Sequence, residues 1–417
     1  MKTTIVMALA LVLGPATAFG AASADVVSDK PTFHKDVLQI LQQNCQVCHR
    51  PSGNNMGGMI APMSLMTYTE VRPWSKAIAK QVKAKTMPPW HAAPRHHGEF
   101  ANERTLTEQD IATIARWVET GAVRGNPEDG PVPLAFENTD GWGIGIPDLI
   151  VSMPEPYFVE DDVEDLYVDI TTTISPEVLP EPRWIQAHQV RAGSEAVHHV
   201  ISSLGSLVPG GDPRVYREGY GRLVRPGQEV TFKMHYHKEP GEGTGTWDKT
   251  EVALKFYPEG YEPTYRFHGD SMGDFAFSIP PGASNHSATS AFTFPDDARL
   301  VSFMPHVHLR GKAAQVRAFY PDGTEEMLLD VPKYDFNWQT TYEYEEYKFV
   351  PKGTRLEMTG WWDNSADNPS NPDPSKTVRW GRPTTSEMMF AWMRYTDPVA
   401  SSDIGDGDST EEIIPGE

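Results

Sequence analysis

Apolar positions change their spacing along this chain. From residue 25 to 130 they recur at helical intervals. Phe33, Val37, Ile40 and Leu41 share one face of a helix running to Asn44, and Ser75 to Ala84 forms a second helical candidate. Thr107-Glu108-Gln109-Asp110 has the form of a capping box with Asp in the acidic position. Behind it Ile111, Ile114, Trp117 and Val118 line one face up to Gly121, a C-terminal cap. Asn126 to Gly145 is rich in Pro, Gly, Asp and Asn and reads as a linker. Short β-prone runs between Gly/Pro turns then take over, from Tyr157 to Ile174 through to Met388 to Tyr395. Their number and spacing predict β-sandwiches or jelly rolls, and about 250 residues suffice for two.

The expected fold is therefore multidomain: a small all-α domain (25–130), a linker (131–145) and two all-β jelly-roll domains (146–278 and 279–397). The boundary between the β domains is drawn at the prolines around Phe277 to Gly282. An acidic tail (398–417) reads as disordered. Residues 1–24 pair a short basic start with an apolar run and the small residues Ala22-Ser23-Ala24. This is the form of a secretory signal peptide, so the expected location is the periplasm. No later stretch has the length and apolarity of a membrane span.

Charge narrows the partners. Lys and Arg number 36 and Asp and Glu 57, giving a formal charge of −21. Nucleic acid is excluded, because phosphates need a basic footprint.

Both cysteines of the chain sit in Cys45-Gln46-Val47-Cys48-His49. This C-x-x-C-H pattern reads as a c-type haem attachment site, with thioethers from Cys45 and Cys48 and His49 as the proximal iron ligand. A redox dithiol would sit near a βαβ pattern, and a zinc half-site would recruit further cysteines; neither accompanies the motif. The helical region then reads as a small cytochrome c domain. Met87 is the candidate sixth ligand, since Pro88 and Pro89 rigidify the loop that carries it. Met56, Met59, Met63 and Met66 compete for that role. His91, His96 and His97 read as surface or supporting residues. If haem takes both cysteines, none remains for a disulfide.

The β region concentrates histidine. His198-His199 are adjacent on a strand, so both reach one metal only if the strand bends or one ring uses its nearer nitrogen. His235 and His237, and His306 and His308, are i, i+2 pairs on single strand faces. Ser386-Glu387-Met388-Met389 adds thioethers. Imidazole with thioether and no spare thiolate favours copper over structural zinc.

The ordered set of His198-His199, His235-Tyr236, His306-Val307-His308-Leu309 with the Arg310-Gly311-Lys312 turn, and Glu387-Met388 resembles the type II copper, ascorbate-dependent monooxygenases. That family includes peptidylglycine α-hydroxylating monooxygenase and dopamine β-monooxygenase, and the resemblance spans roughly residues 145–397. It implies two jelly-roll domains, each with one copper, facing each other across a solvent-filled cleft. It assigns His198, His199 and His235 to an electron-transfer copper. His306, His308 and Met388 go to an oxygen-activating, catalytic copper, with Met389 as the alternative thioether. His237 receives no role. The cytochrome segment ahead of such domains also resembles a group of bacterial fusion proteins with no assigned substrate.

The chain departs from this family in two respects. Animal members carry disulfides. The peptide-hydroxylating enzyme also holds its substrate carboxylate at positions matching Met304, Phe390 and Trp392 here, so an apolar wall stands where the clamp would be and a less polar substrate is expected. The function expected is a periplasmic haem-coupled copper monooxygenase that hydroxylates a C–H bond of a small-molecule or peptide-like substrate with O2. Its cofactors are one haem c and two copper ions, and its electrons come from a periplasmic donor. The alternatives are an electron-transfer or copper-binding cytochrome without hydroxylase activity, and a carbohydrate- or protein-binding module tethered to a cytochrome.

Overall fold

The helical region forms around one small core. In the computed structural model, which describes residues 27–50, 63–134, 142–208 and 213–399, Phe33–Val37 and Leu38–Asn44 make one continuous helical stretch. Its buried side chains are Phe33, Val37, Leu38, Ile40 and Leu41. The helix Glu108–Glu119 begins at the Thr107 capping box, in which the Thr107 hydroxyl accepts from the Asp110 amide and the Asp110 carboxylate accepts from the Thr107 amide. It buries Ile111, Ile114 and Trp117 against the first helix, with the Phe33 and Trp117 rings 6.1 Å apart. Gly121 takes a φ of 99°, the left-handed turn that ends the helix. Ser75–Lys83 completes the core with Ile78, Ala79 and Val82.

The signal-peptide segment, Met56, Met59 and the acidic tail beyond Val399 lie outside the described residues. Among the described residues no helix is long and apolar enough to cross a membrane.

The rest of the chain is β-rich, organised on one continuous sheet. Its strands run in the order Leu149–Ser152, Glu251–Phe256, Arg183–Arg191, Tyr220–Val224, Tyr265–Gly273, Phe390–Pro398, Ala298–His306 and Tyr342–Val350. A four-stranded sheet faces each half. Asp165–Thr173, Glu229–His237, Val197–Ser202 and Gly205–Leu207 cover the first half; His286–Thr293, Arg355–Trp362, Gly311–Phe319 and Glu325–Val331 cover the second. Each pair of layers encloses its own apolar core, one around Phe232 and Tyr236, the other around Phe303 and Trp362. The halves join where Tyr220 and Gly221 pair in parallel with Tyr265 and Arg266.

This join moves the boundary drawn at residue 278. Tyr265–Gly273 pairs along its whole length with Phe390–Pro398 and so belongs to the second half. The prolines at 280 and 281 mark a turn inside that half, because turn chemistry cannot report which distant strands pair.

The helical region does not hang free. The segment from Trp90 to Glu103 runs along the second β half, where Ala93 N donates to Asp330 O (2.7 Å) and Ala101 N to Glu343 O (2.8 Å). Phe100 is buried there, with its ring 5.1 Å from Tyr344, and Trp90 packs 5.0 Å from Tyr342. Truncating Phe100 removes most of that contact. Phe100→Ala is expected to destabilise the chain by about 3 kcal/mol and to open the 85–105 segment to proteolysis. Urea titration followed by limited digestion measures both, and unchanged digestion would show that the segment is held elsewhere.

Candidate functional site

The C-x-x-C-H stretch closes the first helix. Cys48 N and His49 N both donate to Cys45 O (3.2 and 2.9 Å), a helical turn that sets the two thiols and the imidazole on one face. No disulfide joins the two cysteines, and burial pushes the Cys45 thiol up to about 12. His49 Nδ1 donates to Met63 O (3.1 Å), which leaves Nε2 as the metal-facing atom, and burial lowers its pKa toward the neutral form that ligates iron. These groups fit a covalent haem. Met63 is thus tied to this site through its carbonyl, while its side chain packs on the helical core. Met87 lies half-buried in the loop leaving Ser75–Lys83, directly ahead of the segment that packs on the β region.

In the first β half, Val197–Ser202 and Glu229–His237 are neighbours. His199 stands opposite His235, and the register shifts between Val197 and His199. That irregularity is the bend which the adjacent pair requires, because it lets His198 turn to the side of His199. A ligating atom from each of His198, His199 and His235 lies within 4.8 Å of the others. The Nδ1 atoms of all three are buried without a hydrogen-bond partner. His235 Nε2–H donates to Asp165 Oδ1 (2.5 Å), which leaves the lone pair on Nδ1. Tyr167 stacks on His235 at 4.1 Å. Burial holds His198 down to about 3 and His199 well below the ordinary imidazole range, with the neighbouring rings adding to the effect. His237 is exposed, its ring 6.1 Å from that of His198.

In the second half, His306 and His308 are almost wholly buried with ring centroids 5.1 Å apart. His306 Nδ1 donates to Gln339 Oε1 (2.8 Å) and His308 Nδ1 to Ser386 O (3.3 Å), which leaves both Nε2 atoms for a ligand. Burial lowers His306 to about 4. Glu387 is fully buried, and its carboxylate accepts from His308 N (2.7 Å), Arg310 N (2.7 Å) and Trp362 Nε1 (3.0 Å). Desolvation pushes it up to about 7 against those donors. Glu387 thereby pins the histidine turn to the loop bearing Met388. Met388 lines a pocket together with His199 and His306, whereas Met389 belongs to the apolar core of the second half.

The two histidine sets are not separated by an open cleft, as the family resemblance implied. His199 and His306 have ring centroids 6.2 Å apart, and Phe336 stacks on His198 (5.3 Å) while lying 5.9 Å from His308. Asp165 explains the closeness. One of its oxygens serves His235; the other accepts from Thr384 N (3.1 Å) in the Met388 loop. Asp165, Gln339 and Phe336 escaped the sequence reading because none sits in a motif. Only their partners' positions in space mark them.

Comparison with known proteins supports one part of this picture. A cytochrome c family model matches residues 35–122, the span that holds Cys45, Cys48, His49 and Met87. The chain therefore carries a c-type cytochrome region joined to a β-rich region, which supports a haem c cofactor and haem-mediated electron transfer. No curated protein matches the chain. Among solved structures it is similar to the cryo-EM structure of Broad Bean Stain Virus, with 8% identity, coverage of 57% of this chain and 78% of that one, and a TM-score of 0.23. A putative secreted protein from Eubacterium rectale has 12% identity, coverage of 58% and 69%, and a TM-score of 0.19. The infectious bursal disease virus VP2 subviral particle has 9% identity, coverage of 65% and 76%, and a TM-score of 0.20. Likenesses this slight carry no argument about fold or function.

The lowered imidazole pKa values set a pH dependence. Unfolded imidazoles titrate near 6.5, whereas folded His306 and His198 do so only at about 4 and about 3. In that window the unfolded state binds protons that the folded state refuses, so the metal-free protein loses stability as pH falls. Replacing both residues with glutamine is expected to flatten the slope of denaturation midpoint against pH below 6.5. Glu387, raised to about 7, adds a slope of opposite sign that both chains share.

Proposed function

We propose that this chain is a periplasmic haem-coupled copper monooxygenase, hydroxylating a C–H bond with O2 on two jelly-roll domains. The observation that supports it most is the set of three buried Nδ1 atoms of His198, His199 and His235 with no protein partner. Buried polar atoms ordinarily find partners, so three orphans on rings that each bring a ligating atom within 4.8 Å of the others fit a metal ion. The second set pairs His306 with His308, their rings 5.1 Å apart, and Met388 lines the same pocket as His306; two imidazoles and a thioether have the softness that suits copper.

Bound copper supplies dioxygen activation and one-electron exchange, and haem c supplies the incoming electrons. The chain's own residues do the positioning. Asp165 and Gln339 fix the tautomers of His235 and His306. Glu387 and Arg310 lock the turn after His308, since Arg310 Nη1 donates to Thr385 O (2.9 Å) and its amide donates to Glu387. Phe390 and Trp392, stacked at 5.4 Å, wall the pocket beside His306 and limit water there.

The second reading is a cytochrome that transfers electrons or binds copper without hydroxylating anything. The cytochrome c match favours it, because that match supports electron transfer by itself.

Reconstituting the full chain with copper separates the two. The monooxygenase reading expects one haem and two coppers per chain, with O2 uptake matched by hydroxylated product. His308→Ala should lose one copper and the turnover together. Copper binding with O2 uptake but no product would favour the second reading, and absence of copper would remove both copper readings. A haem-free Cys45→Ser, Cys48→Ser chain that turned over equally well with the same donor would disconnect the haem from the reaction.

A further inference from the structure

The pocket that touches His199, His306 and Met388 also holds two cations. Lys233 and Arg382 line it, and neither side chain makes an ion pair or hydrogen bond with a described residue. Trp392 contributes a third donor, its indole Nε1 buried and without a partner. One carboxylate stands against them: Asp169, on the strand position opposite Lys233, is exposed and unpaired with it. A second carboxylate, Asp165, acts on Tyr167 beside the pocket, but it is engaged by His235 Nε2 and Thr384 N, so Lys233 and Arg382 remain without a carboxylate partner among the described residues, in a chain whose formal charge is −21.

Strand register sets the geometry. Tyr167, His235 and His199 stand on one rung of the first half, and Asp169, Lys233 and Ile201 on the rung two residues along. Side chains two apart share a face, so Lys233 lies roughly 7 Å along the sheet from the histidine rung. Arg382, in the loop ahead of Met388, lines the same pocket as Tyr167 and Lys233. The aromatic rings of Tyr167, Phe390 and Trp392 supply the apolar surface between.

Resting on the reading that this is the substrate pocket, we propose that it binds an organic carboxylate with an apolar or aromatic body. Arg382 and Lys233 hold the charge, and the body extends toward His306 and Met388. The guanidinium fork matches a carboxylate's two oxygens. The positions that carry the carboxylate clamp in the peptide-hydroxylating family, Met304, Phe390 and Trp392 here, remain an apolar and aromatic wall. The charge comes from two other places in the chain, so the expectation of a less polar substrate is not carried forward.

Calorimetric titration of the full chain with 3-phenylpropionate and with its neutral amide tests this, in copper-loaded and metal-free protein. The acid is expected to bind on the order of tenfold more tightly than the amide, the value of one charge-assisted hydrogen bond. Arg382→Gln should bring the acid down to the level of the amide, and Lys233→Gln should narrow the gap. Equal binding of acid and amide, or no binding of the acid, overturns the proposal. So does a preference unchanged in both variants, or one present only with copper, which would place the anion on the metal. Because the preference is read in metal-free protein, it stands or falls separately from copper content and O2 uptake measured on the same preparations.

Discussion

Three imidazole nitrogens buried without partners are the constraint on which the β region turns. An unsatisfied buried polar atom costs on the order of 1–3 kcal/mol, and His198, His199 and His235 present three in one cluster. A fold that carries such a cluster must be rigid enough to hold the rings together and dry enough to keep water from quenching them. The register shift at His198, the Asp165 contact to His235 and the stacked rings of Tyr167 and Phe336 supply that rigidity. A metal ion would turn this local cost into a stabilising set of bonds, so that folding and metal binding become linked.

The same constraint links the two halves. Asp165 faces His235 with one oxygen and Thr384 with the other, so the orientation of the first histidine set depends on the loop that carries Met388. The continuous sheet gives this bridge a stiff base, since Tyr265–Gly273 pairs with strands of both halves. The helical region is fastened to the same body. Its Trp90–Glu103 segment meets Tyr342 and Tyr344 on the strand that follows the loop bearing Phe336 and Gln339, the residues that touch His198 and His306. A cytochrome held there is positioned relative to the histidines by ordinary apolar packing.

Local patterns were legible and distant pairings were not. The helices around Phe33 and Ile111 show in the sequence because their apolar period is 3.6 and Thr107 caps the second. The His-x-His spacing shows because alternate strand residues share a face. The join of Tyr220 to Tyr265 left no trace, since strand pairing across 45 positions depends on neither turn nor period. Asp165 stands 70 residues from His235, and Gln339 stands 33 from His306. Single polar residues at such separations look like any solvated strand or loop. The adjacency of His199 and His306 was hidden for the same reason.

The central claim is that these two sets of side chains each hold a copper ion. Anomalous X-ray diffraction at the copper edge, on crystals of the copper-reconstituted full chain, tests it most directly. The account predicts one peak among the Nδ1 atoms of His198, His199 and His235 and a second among His306, His308 and the Met388 sulfur. Peaks elsewhere, or none at either set, would contradict it.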